Sequence, residues 1–164
     1  MRFLLTKTTH KQLFLPFLST NNYQLTTYSL YSRSNPIILF DGVCNLCNGT
    51  VQFILKRDKK KLFRFASLQG KFGQDILNKF GLPAGNPNSF ILLEEEKIYT
   101  HSTGALRVFR HLGGIWKLLY AFIIVPRFIR DGVYNFIAAN RYKWFGKKES
   151  CYIPSPALKN RFLE

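Results

Sequence analysis

The chain has 164 residues, of which 46% are hydrophobic and 16% aromatic, so a packed core can form. Its length predicts one domain with an extension, and three cysteines are too few for a secreted miniprotein held together by several disulfide bonds. The formal net charge is +15, and the 20 lysines and arginines against 9 acids from residue 36 onward leave a charge of about +11 there, which would attract nucleic acids, anionic lipids or acidic proteins. Because no nucleic-acid-binding motif accompanies this charge, nucleic acid is not expected as a partner, and a solvated basic surface is the simpler interpretation.

The N-terminal 35 residues differ in composition from the rest of the chain. The first acidic residue is Asp41. Four cations precede it, Arg2, Lys7, Lys11 and Arg33, and many serines and threonines lie among them. A basic, hydroxyl-rich segment without acids is typical of an organelle transit peptide. We therefore predict that residues 1–35 are a transit peptide, mitochondrial in preference to chloroplastic. A secretory signal and a disordered tail are the alternatives.

The hydrophobic pattern of the following residues predicts alternating strands and helices. In chain order we expect a buried strand at 36–40, a helix from 44 or 45 to 56, a strand at 62–66, a helix at 71–80, a hairpin of strands 89–93 and 98–100, and a helix at 104–111 capped by Ser102 or Thr103. The order β-α-β-α-β-β-α is that of a thioredoxin core. The predicted fold class is therefore α/β, with a thioredoxin-like core over residues 36–112 and additional C-terminal helices.

The sequence Asp41-Gly-Val-Cys44-Asn-Leu-Cys47 lies between the first strand and the first helix. A strand that delivers a Cys-x-x-Cys pair to a helix N-terminus is the geometry of a thiol–disulfide redox site. The helix N-terminus presents unpaired N–H groups and a partial positive charge, and both favour the thiolate at Cys44. Since the thiolate is the attacking species in disulfide exchange, the placement and the chemistry agree.

The motif suggests a role for each of its three chemical groups. Cys44 is expected to be the nucleophile because it lies nearer to solvent and to the helix end. Cys47, one turn further on, is expected to be more buried and to resolve the mixed disulfide. Asp41 either acts as an acid or base near Cys47 or caps the turn. No flavin, nicotinamide or metal motif appears, so no cofactor is predicted and electrons are expected from another thiol system.

Two other interpretations of the cysteine pair stay open. Structural zinc needs about four ligands, and the remaining candidates after the N-terminal extension, Cys151, His101 and His111, lack ligand spacing. The two cysteines can also be packed and inert. Cys151 either pairs with one of them, binds a partner or is inert, and we expect it to be inert.

The motif after a short apolar strand resembles that of the DCC family of predicted thiol–disulfide oxidoreductases. Six further stretches resemble the rest of that family: His101-Ser-Thr-Gly-Ala-Leu, Leu112-Gly-Gly-Ile-Trp, Val125-Pro-Arg, Arg130-Asp-Gly-Val-Tyr, Asn140-Arg-Tyr-Lys-Trp-Phe-Gly and Cys151-Tyr-Ile-Pro-Ser-Pro-Ala-Leu. The resemblance covers about residues 36–164. It implies a thioredoxin-like fold and a dithiol, Cys44 and Cys47, that exchanges with a disulfide substrate.

The resemblance also indicates which partners to expect. They are a disulfide-containing protein or a small thiol as substrate, and an unknown thiol system as electron donor. Thioredoxin-like proteins place a cis-proline directly before the first hairpin strand. The nearest proline here, Pro87, does not immediately precede that strand, so the sequence gives no basis for predicting a cis bond there.

The C-terminal segment, residues 113–164, is predicted to be a helical extension packed on the same domain. The apolar run at 115–125 is shorter than the roughly 20 residues that cross a bilayer, and helical spacing continues after Pro126, which predicts two helices hinged at that proline. The simpler expectation is that they cover a face of the sheet. The alternative is a basic, aromatic surface, with Arg127, Arg130 and Arg141 among its cations, that lies on an anionic membrane or a protein partner. In that case the chain is a non-catalytic interaction module.

Overall fold

A five-stranded sheet lies at the centre of the computed structural model, which describes residues 35–83, 90–148 and 156–163. Its strands are β1 (Ile37–Phe40), β2 (Arg64–Ser67), β3 (Ile91–Glu94), β4 (Lys97–Thr100) and β5 (Phe162–Leu163). Their order across the sheet is β4-β3-β1-β2-β5. β1 runs parallel to β2 and antiparallel to β3, β4 is antiparallel to β3, and β5 is parallel to β2.

Four α-helices and two 3₁₀ helices accompany the sheet in the described part of the chain. They are α1 (Asn45–Arg57), α2 (Lys71–Lys79), α3 (His101–Leu112), α4 (Arg127–Phe145) and the 3₁₀ helices Gly114–Ile124 and Pro156–Arg161. Helix α1 connects the parallel strands β1 and β2, which require a crossover connection of this kind. The predicted α/β fold with its β-α-β-α-β-β-α order is confirmed.

The core lies on both faces of the sheet because β1 is buried on both sides. Successive side chains of a strand point to opposite faces, so Ile37 and Leu39 belong to one hydrophobic cluster and Ile38 and Phe40 to the other. The first cluster includes residues of α2, and the second includes residues of α1 and α3. The sheet is therefore sandwiched between α2 on one face and α1 with α3 on the other.

The start of α3 differs from the prediction. The helix begins at His101, its N-cap is Thr100, and no side chain of the cap satisfies the helix end. Instead the N–H of Ser102 donates to Asp131 Oδ1 of α4 at 3.3 Å, and the Ser102 hydroxyl donates to the same oxygen. The predicted cap at Ser102 or Thr103 is wrong because a carboxylate from another helix satisfies the positive N-terminus of α3.

The two C-terminal helices meet at Val125 and Pro126, as predicted, but they do not cover the sheet. No residue of the 3₁₀ helix Gly114–Ile124 is buried, and α4 buries only Ala138 and Arg141. Their main contacts are with α3 and α1 and not with the strands, so the expectation that they cover a face of the sheet is wrong. The predictions for residues 1–34, for Pro87 and for Cys151 concern positions outside the described residues.

A buried ion pair holds the C-terminal strand, which sequence patterns did not predict, against the edge of β2. Arg161 Nη2 donates to Asp58 Oδ2, and its guanidinium also donates to the carbonyl oxygen of Phe63 from Nη2 at 3.1 Å. The Asp58 carboxylate in turn accepts the N–H groups of Leu62 and Phe63, each at 3.0 Å. One carboxylate thus orders the turn before β2 and fixes the segment that leads into β5.

Replacing Arg161 by methionine should lower the free energy of unfolding by about 3 kcal/mol, since it leaves the Asp58 carboxylate buried without its cation. Urea unfolding measures the change. Lys159→Met is the matched control because Lys159 lies on the same 3₁₀ helix and is exposed. Equal stability of the two variants would contradict the role given to Arg161.

Candidate active site

The two cysteines of the motif lie at the N-terminus of α1, as the sequence predicts. Cys44 is the N-cap residue, with an extended backbone (φ −84°, ψ 122°), and its Sγ accepts the N–H of Cys47 at 3.4 Å. Both cysteines are free thiols. A sulfur in this position receives one of the unpaired N–H groups and the positive end of the helix dipole.

The exposure of the two sulfurs is the reverse of the prediction. Cys44 is fully buried, whereas Cys47 is partly exposed. The cause is the segment after α4, residues 146–148, which we call the covering segment. Its Lys147 forms an antiparallel bridge with Cys44, and the N–H of Lys148 donates to the carbonyl oxygen of Val43 at 2.8 Å.

A side chain of the motif also binds the end of α4 next to the covering segment. Asn45 Nδ2 donates to the carbonyl oxygen of Phe145 at 2.8 Å, and the N–H of Asn45 donates to the carbonyl oxygen of Gly146 at 3.4 Å. Asn45 and Phe145 are 100 positions apart in the chain. The C-terminal end of α4 therefore closes over the cysteine that the sequence predicts to be open.

Asp41 is buried and accepts four hydrogen bonds. Its Oδ1 accepts the N–H of Val43 at 3.2 Å and Nε2 of Gln69 at 2.9 Å. Its Oδ2 accepts Nη2 of Arg141 at 3.1 Å and the hydroxyl of Tyr142. The carboxylate thus caps the turn that leads to Cys44 and pairs with a buried guanidinium.

The charges around Asp41 determine its ionisation. Burial alone would raise its pKa, but the hydrogen bonds from Tyr142, Gln69 and Arg141 outweigh burial and lower the pKa below its usual value of 3.8. The same contacts raise the pKa of Arg141, and burial together with the bond to Asp41 raises the pKa of Tyr142 to about 12. Asp41 is therefore a carboxylate at neutral pH, with both oxygens occupied.

The environment of Cys47 disfavours its ionised form, whereas that of Asp41 favours the ionised form. Burial raises the pKa of its thiol, and the hydrogen bond to Cys44 and the electrostatic effects of Cys44 and Asp41 raise it further. Cys47 is consequently protonated at neutral pH. The more accessible of the two sulfurs is thus a thiol and not a thiolate.

Cys47 opens into a cavity of about 190 Å³ between α1, α3 and α4. The polar groups in its wall include Asp41, Arg141 and Tyr134, whose hydroxyl accepts the N–H of Phe90 at 2.9 Å. Apolar side chains form most of the remaining wall, among them Leu46, Phe53, Phe109 and Ile137. A cavity of this kind can hold an apolar group next to the thiol.

Sequence reasoning missed three residues that converge on Asp41: Gln69, Arg141 and Tyr142. Arg141 was expected among the cations of an exposed basic surface, but it is only 3% exposed and forms the buried ion pair. The signal that could have found Arg141 and Tyr142 was their place in Asn140-Arg-Tyr-Lys-Trp-Phe-Gly, one of the stretches that carry the family resemblance.

The histidines that zinc would need are engaged elsewhere. His111 Nε2 lies 2.6 Å from Glu94 Oε1, and His101 Nδ1 lies 3.0 Å from Thr100 Oγ1. Within residues 35–83, 90–148 and 156–163, no three side chains of His, Cys, Asp or Glu are grouped so that they could hold a metal ion.

The family model described as DCC1-like thiol-disulfide oxidoreductase matches residues 38–147, a range that includes the cysteine pair, Asp41 and Arg141. The chain belongs to this family. It is 57% identical over 129 residues to the uncharacterized protein YuxK of Bacillus subtilis (strain 168), with 79% of this chain and 94% of that protein covered.

A more distant relative is a DCC family protein of Arabidopsis thaliana that is named as chloroplastic. The identity is 38% over 117 residues, which cover 71% of this chain and 68% of that protein. No solved structure gives a significant match. The resemblance stated from the motifs is confirmed, and family membership supports a redox role for the Cys-x-x-Cys pair.

The lowered pKa of Asp41 predicts a pH-dependent contribution to stability. A carboxylate whose folded-state pKa is depressed stabilises the fold fully above its unfolded pKa, and this stabilisation is lost as the pH falls through the folded pKa. Asp41→Asn should lower the free energy of unfolding by about 3 kcal/mol at neutral pH, because Arg141 stays buried without its anion.

The difference between Asp41→Asn and the parent chain should shrink below about pH 4 in urea unfolding. Asp75→Asn, at an exposed carboxylate, is the control. If the stability difference between Asp41→Asn and the parent chain stays constant down to about pH 2.5, the charge of Asp41 is not the cause of that difference.

The bond from Asn45 to Phe145 predicts how the covering segment is held. Asn45→Ala removes a hydrogen bond worth about 1 kcal/mol, so the uncovered state should become roughly fivefold more populated. The rate at which iodoacetamide modifies Cys44 should rise by the same factor. Asn140→Ala is the matched control, since its amide donates within α4 to the carbonyl oxygen of Phe136. An unchanged rate in Asn45→Ala would mean that this bond does not limit access.

Proposed function

We propose that this chain catalyses thiol–disulfide exchange through Cys44 and Cys47, within a thioredoxin-like core at residues 36–112 extended by residues 113–164. The observation that carries the proposal is the position of Cys44 Sγ at the N-cap of α1, bonded to the N–H of Cys47. The family description supports this reaction over a non-catalytic interaction module, because it names thiol–disulfide oxidoreductases.

In the first step Cys44 is the nucleophile. The helix N-terminus stabilises a negative charge on its sulfur, whereas the raised pKa of Cys47 keeps that thiol protonated. The Cys44 thiolate attacks one sulfur of the substrate disulfide, and the substrate S–S bond breaks. The leaving sulfur departs as a thiolate and takes up a proton, while Cys44 remains joined to the substrate in a mixed disulfide.

In the second step Cys47 resolves the mixed disulfide. Its sulfur loses a proton and attacks Cys44 Sγ, and the second substrate sulfur leaves as a thiol. The substrate has then gained two electrons, and the enzyme holds a Cys44–Cys47 disulfide. A separate thiol system must supply two electrons to restore the dithiol.

Access to Cys44 requires movement of the covering segment, residues 146–148, because the sulfur is fully buried beneath it. Asp41 is a positioning residue in this scheme. Its lowered pKa and its four hydrogen bonds make it a poor proton acceptor, but they hold the turn that carries Cys44. The alternative role of Asp41 as an acid or base near Cys47 is therefore not favoured.

The substrate in this proposal is a disulfide-containing protein or a small disulfide, and the donor is a thiol system. The transit peptide at residues 1–35 remains a prediction. The plant relative is named as chloroplastic, and the bacterial relative YuxK points to no organelle. Since neither relative supports the mitochondrion, the chloroplast becomes the better candidate if the segment is a transit peptide.

Cys44→Ser should abolish the acceleration that the protein gives to the reduction of insulin disulfides by dithiothreitol. Cys47→Ser should lose turnover and accumulate a mixed disulfide at Cys44, because the resolving thiol is missing. Mass spectrometry of non-reduced peptides identifies the trapped site.

Cys151→Ser is the control, since it removes a thiol that lies outside the motif. Trapping at Cys47 in the Cys44→Ser variant, with none at Cys44 in Cys47→Ser, would exchange the two roles. Full activity of Cys44→Ser would contradict the proposal, because the reaction would then not depend on the Cys44 thiol.

A further inference from the structure

The C-terminal helices expose an apolar surface of unusual extent. Among the described residues, the large hydrophobic side chains that are exposed to solvent all lie between Ile115 and Phe145. Their exposed fractions run from 40% for Ile137 to 85% for Ile124. Exposed apolar surface beyond single scattered side chains usually marks a binding site on a soluble protein. We call this set of side chains the apolar face.

The 3₁₀ helix contributes one row of this face. Side chains three residues apart are eclipsed in a 3₁₀ helix, so Ile115, Leu118 and Ile124 share one side with Ala121 between them. Ile115 is 73% exposed and Leu118 is 70% exposed. A different row of this helix contacts α1, where Trp116 meets the ring of Phe53 with centroids 4.8 Å apart. The row of aliphatic side chains is therefore directed outward by the helix geometry.

Helix α4 contributes a second apolar stripe. Ala138 and Arg141 are its only buried residues, and they face the cavity of Cys47. A surface helix normally places polar residues on its other side. Here the outward residues are largely apolar: Phe128, Ile129, Val133, Phe136 and Trp144. The outward side of α4 is thus largely apolar, while its inward side carries the buried cation Arg141.

The charged side chains of residues 114–148 are almost all positive. Residues 114–148 contain seven lysines and arginines but a single acid, Asp131. That acid is already engaged, since Arg127 Nε donates to its Oδ2 at 3.1 Å and Ser102 donates to its Oδ1. Lys117, Lys143 and Lys148 are exposed. The apolar face therefore carries unneutralised cations along its length.

We propose that the apolar face docks this protein on the surface of an anionic phospholipid bilayer. Apolar and aromatic side chains enter the interface between headgroups and acyl chains, while the lysines bind the anionic headgroups. No described helix is both long enough and apolar enough to span a bilayer. Trp144 has the amphipathic ring that is enriched at this depth.

Charge complementarity favours an anionic bilayer over a second copy of the chain and over residues 1–34 as the binding partner of the apolar face. A second copy of the chain would bring two cationic faces together, and like charges across an interface are unfavourable. Residues 1–34 are also basic and contain no acid, so they are poorly suited to cover the face. The docking does not depend on the cysteine chemistry, although Ile137 both belongs to the face and lines the cavity of Cys47.

Co-sedimentation of the full chain with vesicles tests the proposal. Vesicles of equal parts phosphatidylglycerol and phosphatidylcholine should bind at least tenfold more tightly than vesicles of phosphatidylcholine alone. Binding should weaken as sodium chloride is raised from about 50 to 500 mM, because salt screens the cations. In a Trp116→Phe variant, the fluorescence of Trp144 should shift to shorter wavelength on binding.

Two variants of the face separate its apolar and charged parts. Ile115→Ser/Leu118→Ser/Ile124→Ser should reduce affinity for anionic vesicles at least tenfold, and so should Lys117→Glu/Lys143→Glu/Lys148→Glu. The matched control, Lys59→Glu/Lys60→Glu/Lys71→Glu, makes the same change in net charge at exposed lysines elsewhere and should stay within threefold. A Cys44→Ser/Cys47→Ser variant should bind as the parent chain does.

Four results would overturn the proposal. They are no binding to anionic vesicles, equal loss in the control and the face variants, full binding by the serine variant, and binding to cell membranes but not to protein-free lipid. The last would assign the face to a protein partner. A dimer in solution that the serine variant dissociates, without lipid binding, would assign it to a second copy. Unfolding curves of the variants should match the parent chain, since the changed residues are exposed.

Discussion

The buried ion pair between Asp41 and Arg141 is the interaction on which the candidate site depends. It joins the loop after β1 to α4 across 100 positions of the chain. Two buried charges are costly unless they are paired and hydrogen-bonded, and here the carboxylate accepts four hydrogen bonds. Because Arg141 points inward, the rotation of α4 is set, and the opposite side of that helix is turned outward.

The two sulfurs of the cysteine pair differ in their electrostatic environment and in their exposure. Cys44 has the helix N-terminus and the N–H of Cys47 but lies beneath residues 146–148. Cys47 opens into the cavity, but burial and its interactions with Cys44 and Asp41 raise its pKa. In the exchange reaction that we propose, the end of α4 must therefore move before Cys44, the proposed nucleophile, meets its substrate.

Helix α4 links the two proposals. Its inward side supplies Arg141 to the buried pair and Ala138 to the cavity, and its outward side supplies Phe136 and Trp144 to the apolar face. In the docked arrangement that we propose, the cavity of Cys47 would lie close to the lipid headgroups. Disulfide substrates held at a membrane surface would then be the nearest ones available.

The sequence by itself determined the local features: the buried strand of Ile37–Phe40, the cysteines at the start of α1, the order of elements and the break at Pro126. Each depends on neighbouring residues, through periodicity, capping chemistry and the missing N–H of proline. Only the tertiary structure decided that Arg141 is inside and that Cys44 is covered. An arginine between apolar positions resembles a surface cation until its partner, 100 residues away, is in place. A local pattern shows that a face is apolar, whereas contacts between distant segments decide what covers it.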